Sequence, residues 1–338
     1  MSEAYNVLVT GAAGLLGSHF CDYLLATGHR VIAIDNLSGG YRENVNSNVT
    51  LYTNDLCNSE AVDAIFERHN IDYVYHFAAY AAVGLSPFIR NFNYQNNVLA
   101  SANLINSSIR HNVKKFIFAS SMDVYGSQKP PFTEDMKPDP QDPYGIAKYA
   151  IEMDLANAYR QFGLKYTIIR PHNIIGPRQN IWDRYRNVAG IWIRKAMSGD
   201  PLTIYGTGEQ RRAFSDISYY MAPFLQLMEN KMTDQEIINI GADKHVSINQ
   251  LADIVIDVAH SRMGVRPSKV YLEKRDEVDL MWCSHEKAKI LLNFTDFTDL
   301  KRLIEKTWDW AVQMEPKKVK YMKYEIDKGM YSYWSNDE

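Results

Sequence analysis

Residues 6–17 read NVLVTGAAGLLG, and this stretch decides the fold. A short apolar run, Asn6–Thr10, stops at glycine. Glycines then fall at positions 11, 14 and 17. From Leu15 to Ala26 the apolar residues Leu16, Phe20, Tyr23 and Leu24 recur at helical spacing. The pattern is therefore strand, glycine-rich turn, helix. Its G-x-x-G-x-x-G spacing is one residue wider than the G-x-G-x-x-G fingerprint, but the physics is shared. Glycine allows positive φ in the turn and close approach of backbone to an anion. The helix N-terminus presents free N–H groups and a partial positive charge. A tight turn by itself would also account for the glycines, so the surrounding residues carry the argument further.

Moving outward, Arg30–Ile34 is a second apolar run that closes at Asp35. Thr50–Thr53, Tyr73–Phe77, Lys115–Ala119 and Tyr166–Ile169 continue the series. Helical stretches separate them near Glu60–His69, Asn97–His111 and Pro143–Phe162. Short runs rich in Val, Ile, Phe and Tyr suit strands buried on both faces. Their alternation with helices predicts an α/β fold with a doubly wound, parallel, Rossmann-type sheet. A carboxylate at Asp35 accepts ribose hydroxyls and repels an extra phosphate, which favours NAD over NADP. Asp55 is placed either near the adenine or as the N-cap of the helix at Ser59.

After Gly176 the pattern is less regular. Proline and glycine cluster at Asp200–Gly208, and a helix is predicted at Ile248–Ala259. The expected division is 1–175 for the Rossmann domain with its Tyr/Lys helix, 176–315 for a smaller C-terminal α/β substrate lobe, and 316–338 for an extension. The tail carries Lys317, Lys318, Lys320, Lys323 and several tyrosines. It is expected to wrap its own domain as a surface extension, since no aromatic-stacking module for nucleic acid accompanies it.

The chain has 338 residues and a formal charge of -3, from 37 basic and 40 acidic residues. That length buries a core without disulfides or metals, and the charge does not suggest a polyanion binder. Cys21, Cys57 and Cys283 are scattered, without metal-ligand or disulfide spacing. The N-terminus lacks a signal-peptide pattern, and no apolar run approaches the ~20 residues of a membrane span. A cytoplasmic enzyme without metal, membrane or nucleic-acid partner is the expectation.

Two further clusters carry chemistry. Tyr144 and Lys148 form Y-x-x-x-K on a predicted helix, four residues apart and so on one face. An ammonium beside a phenol stabilises phenolate, so the Tyr144 pKa is expected to fall toward the working range. Ser121 lies just past the fifth strand, at the carboxyl side where open α/β sheets bind ligands. There it is placed to hold a substrate oxygen against Tyr144.

TGAAGLLG at 10–17, Asp35, HFAA at 76–79, SSMDVYG at 120–126, PYGIAK at 143–148 and RPHNIIGP at 170–177 occur in this order. With these motifs the chain resembles the extended short-chain dehydrogenase/reductase family, from Val7 to about Trp310. Within it the likeness is to the UDP-glucose 4-epimerases and their relatives. The resemblance implies Ser121, Tyr144 and Lys148 as catalytic residues and Asn96 near the cofactor. It implies an NAD site formed by Gly11, Gly14, Leu15, Leu16, Gly17, Asp35, Asn36, Asp55, Leu56, Phe77, Ala78, Ala79 and Asn96, with Tyr144 and Lys148. A nucleotide-diphosphate sugar would meet Ser121, Asn173, Asn187, Arg212 and Arg275, the arginines on the diphosphate. For Arg212 and Arg275 a surface salt bridge is the alternative, and Arg211 leaves the register of the first open by one.

The chain departs from the pattern in three places. Many galactose-type epimerases carry a lysine near Ala81. They carry a tyrosine at Trp282, so the nucleotide pocket is expected to differ there. The 4,6-dehydratases place Asp-Glu where this chain has Met122-Asp123, and methionine cannot protonate a departing hydroxyl. Asp123 is read either as a base toward a carbon of a 4-keto intermediate or as a polar residue bonding a loop. The implied reaction is C4 epimerisation, with Tyr144 taking the 4-hydroxyl proton while hydride leaves C4. A dehydratase, decarboxylase or 3/5-epimerase using Asp123 is the alternative, and a non-catalytic NAD-sensing protein a remote one. The resemblance also implies a homodimer through the helices near Asn97–His111 and Pro143–Phe162.

Overall fold

The computed structural model describes residues 3–335. The first half runs β1 (Asn6–Thr10), α1 (Leu15–Ala26), β2 (Arg30–Ile34), β3 (Thr50–Tyr52), α2 (Ser59–Arg68), β4 (Tyr73–His76). It continues through α3 (Arg90–Tyr94), α4 (Ala100–Arg110), β5 (Lys115–Ala119), α5 (Pro143–Phe162) and β6 (Tyr166–Pro171). The second half contains β7 (Ile174–Ile175), α6 (Val188–Met197), β8 (Leu202–Tyr205), β9 (Arg211–Ala213), β10 (Ser215–Asp216) and α7 (Met221–Glu229). Then come β11 (Glu236–Ile240), β12 (His245–Ser247), α8 (Ile248–Met263), β13 (Lys269–Leu272), β14 (Leu280–Met281), α9 (Glu286–Leu292), α10 (Leu300–Ala311) and α11 (Ser332–Ser335).

Seven parallel strands form the main sheet in the order β3-β2-β1-β4-β5-β6-β11. Strand order reverses between β1 and β4, which opens a crevice at the carboxyl ends of the strands. The sheet is covered on both faces. Val7 and Val9 pack with Phe20, Leu24 and Phe224 on one side. Leu8, between them, packs with Val62, Phe66, Leu104 and Leu155 on the other. The period-two alternation of a strand thus supplies two cores from one apolar run.

The seventh strand comes from beyond residue 175, so the chain returns to the main sheet after starting the second lobe. That lobe has its own core, in which Trp192, Ile204, Leu251, Val255, Ile304 and Trp308 join α6, β8, α8 and α10. Short strand pairs β8–β13, β9–β12 and β9–β14 complete it.

Several boundaries differ from the sequence reading. The helix expected at Asn97–His111 begins regular α-geometry at Ala100, after a wide π-type turn over Gln95–Leu99 that continues from α3. β6 reaches Pro171 because β11 pairs along it as far as Ile240. α8 runs four residues past Ala259, to Met263, and stops at Gly264 in the left-handed conformation. Helix α5 matches its expected limits. Asp142 caps its first turn through Tyr144 N and Gly145 N, Pro143 sits at its first position, and Gly163 closes it with φ 76°.

Candidate active site

A cavity of ≈1220 Å³ follows the carboxyl ends of the strands and continues between the lobes. Every residue proposed above for catalysis, cofactor or substrate lines it.

At the β1 end the glycine loop is shaped for close approach. Gly11 has φ 68°, and a Cβ there would lie 2.7 Å from Ala78 N. A Cβ on Gly17 would overlap the Gly11 carbonyl oxygen, so α1 seats on the loop only with glycine there. Gly14 caps α1 with no side-chain hydrogen bond, which leaves the first-turn N–H groups open for an anion. Asp35 accepts from Ala13 N at 2.9 Å and from Leu37 N at 2.7 Å. Its carboxylate is thereby fixed beside the loop. Burial nonetheless pushes its pKa up, against those two hydrogen bonds. These features fit a dinucleotide: an anion at the glycine turn and a ribose at Asp35.

Leu15, Leu16, Asn36, Leu56, Phe77, Ala78 and Ala79 line the same end. Asp55 does not cap α2. Asn58 does so, accepting from Ala61 N, while Asp55 turns back to accept from Cys57 N and from the Asn36 side chain. The Asx turn at Asp55 places the cap three residues later than the sequence suggests. Asn96 lies in the π-type turn, where its amide donates to Phe92 O.

Ser121, Tyr144 and Lys148 come together at the end of β5. Ser121 Oγ donates to Asp123 Oδ2 at 2.6 Å and accepts from Asp123 N at 3.2 Å. Lys148 Nζ donates to Ala119 O at 2.7 Å and lies 5.8 Å from the Tyr144 ring centre. Burial lowers the Lys148 pKa to about 7, with Glu152 opposing. The Tyr144 phenol moves opposite to the expected direction. Burial and the Asp123 carboxylate push its pKa up, and a Ser121 hydrogen bond only partly offsets this. Desolvation penalises phenolate, and the largest charge effect on the phenol comes from the Asp123 anion.

Asp142 was not singled out from the sequence. Besides capping α5 it accepts from Ser86 Oγ at 3.3 Å, and burial with the nearby Asp123 raises its pKa to about 6. The Asp-Pro pair before Tyr144 was the available signal. Also missed were Ser86, whose hydroxyl accepts from Tyr144 N at 3.3 Å, and His172. His172 lines the cavity beyond β6 and stacks on His285 at 5.0 Å, its ring nitrogens buried and without hydrogen-bond partners.

At the far end, Asn173 has φ 40° and a buried amide nitrogen without a partner. Asn187 caps α6 through Ala189 N. Arg212, not Arg211, lines the cavity. It donates to Val278 O and Asp279 O and lies 3.6 Å from Glu277. Arg211 turns away to His245. Trp282 stacks on His245 at 4.1 Å and does not line the cavity, so the tyrosine-to-tryptophan difference does not reshape it directly. Arg275 lies in an aromatic cluster made partly by the tail. The tail, expected to wrap its own domain as a surface extension, also walls the cavity through Gly329, Tyr331, Tyr333 and Trp334. Among the described residues no cluster suited to a metal ion occurs, and no helix is long and apolar enough to cross a membrane.

The sequence profile of the NAD dependent epimerase/dehydratase family matches residues 7–241. A UDP-glucuronate 4-epimerase of Thermodesulfobacterium geofontis is 30% identical over 90% of this chain and 95% of its own length. A UDP-N-acetyl-alpha-D-glucosaminuronate decarboxylase of Bacillus cytotoxicus is also 30% identical, over 91% and 98%. The crystal structure of UDP-glucose 4-epimerase with UDP-glucose from Thermotoga maritima is 34% identical and superposes with a TM-score of 0.86, covering 91% of this chain and 99% of that one.

Proposed function

This chain belongs to the NAD dependent epimerase/dehydratase family, and from that premise we propose that it inverts C4 of a UDP-hexose through a 4-keto intermediate. The observation that supports this reading is one continuous cavity. It holds the glycine loop at one end, Ser121, Tyr144 and Lys148 in the middle, and Arg212 and Arg275 at the other.

The cofactor is NAD, which the Gly11–Gly17 loop and Asp35 would hold and which would supply hydride-transfer chemistry. The protein's own residues do the rest. Ser121 holds the sugar oxygen against Tyr144. Tyr144 acts as its phenolate, favoured by the Lys148 ammonium against burial and Asp123; it takes the O4 proton when hydride leaves C4 and returns it when the carbonyl is reduced from the other face. Lys148 fixes the tyrosine from the same helix face and is anchored by Ala119 O. Because its pKa is lowered to about 7, it is about half protonated near pH 7, and small changes in its surroundings change its charge. The arginines grip the diphosphate while the sugar turns over, so the reacting carbon stays within reach.

Met122 offers no proton for a leaving hydroxyl, which disfavours a dehydratase. Asp123 supports a second reading, decarboxylation or inversion at C3 or C5, because it stands in the cavity beside Tyr144 and Ser121. The two readings separate by product. Purified protein is incubated with UDP-, GDP- and dTDP-sugars and followed by NMR without added reductant. A C4 epimer is expected. A decarboxylated, dehydrated or C3/C5-inverted product would make the second reading correct.

A cytoplasmic homodimer completes the proposal. Leu99, beside α4, and Ile146, Met153 and Phe162 on α5 are exposed apolar residues on the expected pairing face. Light scattering at micromolar concentration is expected to give twice the monomer mass, and a monomer would refute the pairing.

A further inference from the structure

The tail forms a strap that lines the cavity through Gly329, Tyr331, Tyr333 and Trp334. Lys317 pairs with Glu43 near the cofactor end. Tyr321 Oη accepts from Arg184 N at 3.2 Å, and Tyr324 bonds to Tyr185 through their hydroxyls. Glu325 accepts from Asn91 N and Phe92 N, at 2.8 and 2.9 Å, and its own N–H donates to Phe88 O at 2.8 Å. Toward the end of the described residues Trp334 is 5% exposed and packed with Leu85 and Ile89. The strap therefore touches both lobes before it reaches Arg275.

Arg275 is held differently from Arg212. Its guanidinium lies 3.5 Å from the Tyr205 ring centre and 5.0 Å from that of Trp334, with Tyr333 at 5.4 Å and Tyr331 at 5.8 Å. Nε donates to Tyr333 Oη at 2.9 Å, and the next residue, Asp276, donates its N–H to Tyr331 Oη at 3.1 Å. Ring faces and a neutral hydroxyl attract a guanidinium without cancelling its charge. A carboxylate partner would compete with phosphate for the same N–H donors; aromatic rings leave the outer nitrogens available. Arg212, by contrast, already gives its donors to backbone carbonyls and lies beside Glu277.

We propose that the C-terminal segment is a positioning element for substrate binding, in which Tyr331, Tyr333 and Trp334 set the aim of Arg275 at the diphosphate. This rests on the reading that Arg275 grips the diphosphate. The tail residues act through Arg275 and touch no reacting atom.

The test is calorimetric binding of UDP and of uridine to full-length, NAD-loaded protein, combined with steady-state kinetics. Tyr333→Ala is expected to weaken UDP about tenfold and Tyr333→Phe about two- to threefold, with uridine affinity unchanged. KM should rise with kcat held within about twofold. In an Arg275→Met background, Tyr333→Ala should have no further effect on UDP. A full additional loss in that background, or a fall in kcat at unchanged KM, would overturn the positioning role while leaving the diphosphate reading intact. UDP binding that ignores Arg275→Met, or no UDP binding by the parent protein, would overturn the diphosphate reading and the proposal with it.

Discussion

The Ser121 hydroxyl donates to the Asp123 carboxylate across 2.6 Å, so the residue expected to hold the sugar oxygen is already committed to an acid that raises the Tyr144 pKa. Asp123 thus acts on Tyr144 through its charge whether or not it touches substrate. Asp123→Asn keeps an acceptor for Ser121 and removes that charge. For a C4 epimerase, turnover is expected to stay within about tenfold of the parent. The acid limb of kcat/KM should move to lower pH, because phenolate at Tyr144 becomes easier to form. A loss beyond about a hundredfold, or an acid limb that moves upward, would contradict this assignment.

Lys148 supplies a pH signature in stability. Its folded pKa is about 7, below the ordinary 10.5, because burial disfavours the ammonium. Between those values the unfolded chain binds the proton and the folded chain does not. Stability from this group is therefore full above the unfolded pKa and is lost as pH falls toward 7. In urea unfolding of the NAD-free protein, the advantage of the parent over Lys148→Met should grow from pH 7 to pH 9. A difference that is flat or shrinks over this interval would show that the lysine is not held near neutrality.

What the sequence made legible was local. β1, the glycine turn and α1 follow from contiguous residues, and α5 is placed at Pro143–Phe162 by its own residues. What escaped depends on distant partners. β11 is a strand because it pairs with β6, nearly seventy residues earlier, along a register from Glu236↔Thr167 to Ile240↔Pro171. The cap of α2 moved from Asp55 to Asn58 because two short polar side chains compete in one turn. The direction of the Tyr144 shift needed burial and the position of Asp123, neither of which the Y-x-x-x-K spacing contains. The wall made by Tyr333 and Trp334 escaped because it meets Gly84, Leu85 and Arg275 only in space.

Asp35 predicts cofactor choice. Its two oxygens are held by Ala13 N and Leu37 N, which keeps a negative group at the position proposed for the ribose. Asp35→Asn loses the charge and cannot accept equally at both atoms. NAD affinity is expected to fall about tenfold, and the preference for NAD over NADP by a similar factor, as repulsion of the extra phosphate is lost. Calorimetric titration with both cofactors measures this. An unchanged NAD/NADP ratio would mean that the selectivity comes from elsewhere in the loop.

Glu152 predicts how the catalytic helix is fixed to the sheet. It stands four residues after Lys148 on α5 and accepts from Arg170 Nε at 2.9 Å, from Arg170 Nη2 at 2.5 Å and from Ser120 Oγ at 2.5 Å. Arg170, on β6, is 1% exposed and lies 4.7 Å from the Tyr125 ring centre. Glu152 thus ties α5, which carries Tyr144, to β6 through Arg170 and to the end of β5 through Ser120, the neighbour of Ser121. Glu152→Ala strands a buried guanidinium, which costs about 3–5 kcal/mol. Replacing both partners by methionine removes the uncompensated charge, so the double variant should be more stable than Glu152→Ala alone. If the pair only stabilises, the double variant regains kcat with stability. If it also sets the spacing, kcat stays low in a folded protein, because a displacement of about 1 Å in a catalytic group costs about a hundredfold. The second result is expected, read by kcat on protein shown to be folded by denaturant titration. Full recovery of kcat would remove Glu152 and Arg170 from any part in aligning the site.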